Sequence, residues 1–171
     1  MTVLVVFESH WGNTEQIARS IAAGIEDEGP AVRVASVMDA PTTLDGVELL
    51  VAGGPTHAFS MSRESSRLSA VRQGSTTGSA AIGLREYLQA LVDHHQHSRI
   101  ATFDTRVLAA RRFPGSAARA AVRLVRREGF AVDHDPESFW VRDSSGPLEE
   151  GELDRARRWG HDLAAGLRRL G

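Results

Sequence analysis

The chain alternates short, unbroken apolar runs with stretches in which apolar residues return every three or four positions. Val3–Phe7 is continuously apolar, the pattern of a strand covered on both faces. From Asn13 onward Ile17, Ile21 and Ile25 recur every fourth residue with Ala18 and Ala22 beside them, which predicts one helix ended by Gly29-Pro30. Ala31–Val37 alternates weakly and reads as a second strand. Val47–Ala52 reads as a third, buried strand that stops at Gly53-Gly54-Pro55. Leu84, Leu88 and Leu91, with Tyr87, predict a helix. Ile100–Phe103 is a fourth strand and Ser116–Arg127 a helix behind Pro114-Gly115. Phe130–Val132 and Phe139–Val141 look like two pieces of a fifth strand, and Glu149–Leu170 is the closing helix. Residues 60–81 are rich in Ser, Arg, Thr and Gly, lack a clear period, and read as a long excursion.

Repeated alternation of strand and helix predicts an α/β fold, a five-stranded parallel sheet with helices on both faces. With no internal repeat and no linker, residues 1–171 are expected to form a single domain. The common strand order for a chain of this size, 2-1-3-4-5, reverses between strands 1 and 3, and ligands sit outside the carboxyl ends of strands at such a reversal. Two loops meet there: Ser9–Thr14 and Pro55–Phe59. A helix starting near Asn13 aims free N–H groups and the positive end of its dipole into that crevice. Ser9, Asn13 and Thr14 add short donors. Such a loop suits a phosphate and needs no cation.

Composition narrows the chemistry. All 20 basic residues are Arg. Without lysine, a Walker-type phosphate loop, a Schiff base and a phospho-receiver site are all excluded. Without cysteine there is no disulfide or thiolate chemistry. A formal net charge of −2 argues against a nucleic-acid binder. No charged leader precedes the first strand and no apolar run approaches the ~18 residues of a membrane span, so a soluble, cytoplasmic protein is expected. No G-x-G-x-x-G follows a strand, and no G-x-S-x-G elbow is present. Gly74–Ser79 looks like a phosphate loop in isolation, but no strand precedes it, and it reads as flexible loop. His94, His95 and His97 beside Asp93 lie in a helix-to-strand turn and are not expected to converge on a metal. The stripe Arg119, Arg123, Arg126 and Arg127 reads as a solvated face, with docking of an acidic partner or of nucleic acid as the alternatives.

The opening stretch, Val5-Val6-Phe7-x-Ser9-x-x-Gly12-x-Thr14 with Ala18 and Ile21 beyond it, resembles the phosphate-loop signature of the flavodoxin family. The resemblance continues in element order: Val51–Phe59 and Thr102–Arg106 fall at the two loops that flank the flavin ring, and Phe113–Ala118 opens the next helix. It implies a flavodoxin-like doubly wound sandwich that binds FMN non-covalently. Carried over by position, Ser9, His10, Trp11, Gly12, Asn13 and Thr14 hold the phosphate; Pro55, Thr56, His57, Ala58 and Phe59, with Asp104, Thr105 and Arg106, flank the ring. No metal and no separate catalytic residue is implied.

The chain departs from the family where His10 and Trp11 replace hydroxyl residues, where His57 stands near the usual stacking Trp, and where the outer stacking aromatic falls on Ala110. Arg106 near the ring would favour the anionic reduced flavin, with pairing to a surface carboxylate as the alternative. The expected function is electron transfer between redox partner proteins. The alternatives are an FMN-dependent NAD(P)H or quinone oxidoreductase, suited to an open outer face, and a flavin-free interaction domain.

Overall fold

The structure, a computed structural model, describes residues 2–95 and 97–169. Its strands are β1 (Thr2–Phe7), β2 (Ala31–Ser36), β3 (Leu49–His57), β4 (Ser60–Met61), β5 (Arg99–Val107) and β6 (Glu137–Val141). Its helices are α1 (Asn13–Glu26), α2 (Glu64–Arg72), α3 (Leu84–Gln89), α4 (Ala117–Arg127) and α5 (Glu152–Arg168). The sheet runs β2-β1-β3-β5-β6 with every neighbouring pair parallel, which is the expected order of five parallel strands. The short β4 is an addition that folds back antiparallel on the end of β3, Thr56 opposite Met61.

Period-two alternation divides the core into two layers. Val3, Val5, Phe7, Leu49, Val51 and Phe103 face α1 and α5, where Ile17, Ile21, Ile25 and Leu163 cover them. Leu4, Val6, Leu50 and Ala52 face the opposite way, under Leu84, Leu88, Ala121 and Leu124 from α3 and α4. Burial on both faces explains why these strands read as unbroken apolar runs. Helices α1 and α5 meet almost backbone to backbone. A Cβ on Gly160 would stand 2.2 Å from the Ile21 carbonyl oxygen, and one on Gly24 2.0 Å from that of Arg157.

Four readings need correction. Residues 60–81 contain α2, which the missing apolar period concealed because its buried positions are Arg67 and Ala70 rather than large hydrophobes. Phe130–Val132 is not part of the last strand. Ala131 makes only an isolated bridge to Arg99, while Phe130 and Val132 pack on the α4 side of the core. Strands β3 and β5 run on to His57 and Val107, so residues expected in loops extend the sheet edge towards the crevice. The predicted closing helix began at Glu149 and now begins at Glu152, and its expected last residue, Leu170, lies outside the described residues. No helix among the described residues is long and apolar enough to cross a membrane.

The α1–α5 approach leaves no room for a methyl group. Gly160→Ala should destabilise the fold by about 1–3 kcal/mol through overpacking, read as a melting temperature several degrees lower. An unchanged melting temperature would mean that the two helices stand further apart.

Candidate functional site

A cleft of about 290 Å³ opens at the carboxyl end of the sheet, between the ends of β1, β3 and β5. It is lined by Ser9, His10, Trp11, Asn13 and Thr14 from the first loop, by Pro55, Thr56, His57 and Ala58 from the end of β3, and by Thr105 and Arg106 from β5. The sequence-predicted groups therefore converge. Gly12, Phe59 and Asp104 do not line the cleft. Gly12 sits at φ 85° and turns the chain into α1, a left-handed conformation that a side chain would strain. Asp104 is buried in β5 and accepts from the Ala118 N–H at the head of α4, with burial pushing its carboxyl upward. Phe59 stands at the outer tip against Phe113.

The first loop is held by its own side chains. Ser9 Oγ accepts from the Gly12 N–H at 3.1 Å, and Thr14 Oγ1 shares a 2.7 Å hydrogen bond with Thr105 Oγ1 across the sheet. Asn13 Nδ2 donates to the Ser145 carbonyl in the loop after β6. These bonds leave the backbone as the supply of unused donors. Among the described residues the N–H groups of His10, Trp11, Asn13, Thr14 and Glu15 have no hydrogen-bond partner, whereas Gln16 N–H already closes onto Gly12 O. Five free N–H groups at a helix N-terminus form a donor set for an anion.

Beneath the loop lies a polar cluster that the sequence did not reveal. Glu8, at the end of β1, is almost fully buried. Its Oε1 accepts from Ser62 Oγ at 2.5 Å and His10 Nε2 at 2.9 Å, and its Oε2 from Leu84 N–H at 2.7 Å. Burial alone would raise this carboxyl's pKa, but the bonds from His10, Ser62 and Leu84 outweigh it and hold the group below the ordinary glutamate value. Arg67, wholly buried in α2, donates to Ser62 Oγ, to the carbonyls of Ala80 and Ala81, and to Glu86. The chain Glu8–Ser62–Arg67 thus moors α2 and the following loop to the first strand. That loop, the Gly74–Ser79 stretch read as flexible, packs on the first loop: Thr77 donates through its N–H to His10 O and through Oγ1 to Ser9 O.

Helix α2 and the residue after it also bring Ser66, Ser69, Ala70 and Gln73 to the cleft wall, beside His57. Ser66 fixes the state of His57. The single Ser66 hydroxyl proton goes to Arg63 O, and the same oxygen accepts from Arg63 N–H. With that proton on Arg63 O, the 2.9 Å contact with His57 Nδ1 is donated by the imidazole, which leaves His57 Nε2 as an acceptor. Burial pushes the His57 pKa down, helped by His10 and Arg67 and opposed by Glu8, so the ring is neutral near pH 7. Arg106 is buried. Its Nη2 donates to Ala110 O at 2.6 Å and Phe113 O at 2.9 Å, and its guanidinium lies 5.4 Å from the Trp140 ring centre. The alternative pairing with a surface carboxylate is not realised among the described residues. The histidines near residue 95 do not assemble a metal site among the described residues, and His94 pairs with Asp45.

A parallel doubly wound sheet whose first loop, helix N-terminus and two central strand ends converge at the topological switch is flavodoxin-like architecture. The sequence model of the flavodoxin family matches residues 5–83, a stretch that holds the first loop, His57 and all of α2. Over the whole chain the likeness is one of fold. A flavodoxin from the domain Archaea superposes with a TM-score of 0.65 at 20% identity, covering 98% of this chain and 99% of that one. Oxidised Flavodoxin 1 from Bacillus cereus gives 0.67 at 16% identity, covering 96% and 98%. The rubredoxin oxygen:oxidoreductase of Desulfovibrio gigas gives 0.62 at 14% identity, with 98% of this chain spanning only 36% of that longer protein. No curated protein matches the chain.

Glu8→Gln should cost about 2–4 kcal/mol, because an amide cannot accept from all three buried donors as a carboxylate does. The folded pKa is depressed, so Glu8's contribution is fully present above the ordinary glutamate value and is lost as pH falls through the lower folded one. Denaturant titrations across that acid range should show a shallower pH dependence in Glu8→Gln than in the parent. Equal slopes would remove Glu8 from the ionised network. Nitrogen NMR shifts of His57 should report the Nδ1–H form near pH 7, and Ser66→Ala should release that preference.

Proposed function

We propose that the chain binds FMN in this cleft and passes electrons between partner proteins. The observation that carries the reading is the set of unpaired backbone N–H groups of His10, Trp11, Asn13, Thr14 and Glu15, at the head of α1, in a chain that has no lysine. A phosphate monoester held there is neutralised by peptide dipoles rather than by a side-chain cation. Ser9, His10, Trp11, Gly12, Asn13 and Thr14 would hold the phosphate. Pro55, Thr56, His57 and Ala58 with Thr105 and Arg106 would border the ring, Phe59 and Asp104 supporting the two strand ends from outside the cleft. When bound, FMN supplies one- and two-electron redox chemistry.

The remaining work belongs to the chain. His57 offers an acceptor nitrogen fixed by Ser66, and Arg106 brings a positive charge that makes no direct ion pair among the described residues, although it acts on the buried Asp104. That charge favours an anionic reduced ring. The wall contributed by α2 borders the cleft on the His57 side.

Calorimetric titration should show FMN bound far more tightly than riboflavin, and Thr14→Val should weaken FMN about tenfold, the loss of roughly one hydrogen bond. Equal affinity for the two flavins would sink the phosphate assignment. Arg106→Ala should make bound FMN harder to reduce in a potentiometric titration. Stopped-flow mixing of the yellow protein with NADPH should leave its absorbance unchanged; rapid bleaching would replace the carrier reading with the reductase one.

A further inference from the structure

The face beside the cleft mouth is cationic in a chain of net charge −2. From Thr105 to Arg127 there are seven arginines and no carboxylate, and between Gly54 and Arg72 the only carboxylate is Glu64. Arg111, Arg112 and Arg119 are exposed, and none of them forms an ion pair with any described residue. Arg119 donates to Pro114 O, which places it beside the Phe113 turn, and Arg85 reaches towards Ser60 next to Phe59.

At the centre of these charges sit two aromatic rings that face water. Phe59 is 48% and Phe113 54% exposed, and their ring centres are 4.8 Å apart. The turn that carries Phe59 is strained: Ala58 has φ 46° and Phe59 φ 63°, left-handed values held by two residues with side chains. Strain of this kind costs about 1–3 kcal/mol and persists where the surrounding structure imposes it. Here Gly115 makes room. A Cβ on Gly115 would lie 2.6 Å from Phe59 O, so the two flanking loops are clasped together with both rings turned outward.

We propose that this face docks a redox protein whose own docking surface is acidic, with Phe59 and Phe113 as the apolar centre and Arg111, Arg112 and Arg119 as the steering rim. The proposal rests on the electron-carrier reading for its purpose but not for its binding test. Unpaired guanidinium groups around a small aromatic patch match the anatomy of a transient interface, in which rim charges set the encounter rate and buried aromatics hold the complex. A polyanionic nucleic acid fits less well. The two rings lean on each other instead of offering a free stacking face, and the rest of the chain is net negative.

The test uses one haem protein in two charge states, cationic cytochrome c and its succinylated, anionic derivative. Binding to the FMN-free protein is measured by calorimetry at low salt, so that failure to hold FMN and failure to dock are separate results. The succinylated form should bind at least tenfold more tightly than the native one, and the preference should fall at least tenfold as salt is raised beyond about 0.1 M. R111E/R112E should abolish the preference, and Phe113→Ser should weaken binding without removing its salt dependence. Should the double variant not fold, as judged by circular dichroism, R119E carries the same test on the rim. Equal binding of the two cytochromes, tighter binding of the native form, an unchanged preference in folded R111E/R112E, or equally tight binding of a DNA duplex would overturn the proposal.

Discussion

The buried carboxylate of Glu8 is the constraint on which the geometry of the site depends. A charge at the end of β1 with almost no solvent must be satisfied from within the protein, and the donors that satisfy it come from three directions. His10 comes from the first loop, Ser62 from the turn after β4, and Leu84 N–H from the start of α3. Because one acid holds all three, the first loop, the hairpin that carries His57 and the head of α3 have fixed relative positions. Arg67 extends the same logic one step outward. As a wholly buried cation it cannot stand alone, and its bonds to Ser62, Glu86 and two carbonyls draw α2 and the 74–79 loop into the wall.

Such a hub is hard to see in a sequence. The parallel strands and helices α1, α4 and α5 announce themselves through apolar periodicity, since each buries hydrophobic side chains against the sheet. Helix α2 is anchored by a guanidinium and an alanine, so its buried face carries no apolar period to detect. The one local signal was Glu8 itself, a charged residue immediately after a strand buried on both faces. Nothing in the chain said that its partners would be Ser62, more than fifty residues later, and a backbone N–H later still.

The first loop was legible for the opposite reason. Its free donors are backbone N–H groups, and the residues that leave them free form a compact trace: Gly12 for the left-handed turn, Ser9 to cap it, Thr14 to tie the helix to β5. The side chains carry a second role that the sequence did not show. Ser9, Asn13 and Thr14 read as donors to the ligand, yet each also holds the loop in shape. The hydroxyls and amide organise the cradle, and peptide dipoles provide most of its attraction.

That division of labour has an electrostatic consequence. Peptide dipoles at the head of α1 attract an anion without adding net charge, so the charge of the face around the cleft is set by other residues. In this chain those residues are arginines. Arg106 lies inside, its Nη2 bound to the carbonyls of Ala110 and Phe113, and it thereby shapes the turn that presents Phe113. The same side chain therefore lies beside the cleft and holds one half of the exposed aromatic pair. A change in the charge felt by Arg106 acts on a hydrogen bond to the loop that carries Phe113. The surface beside the cleft and the interior of the cleft are joined through one buried guanidinium, and neither can be altered there without disturbing the other.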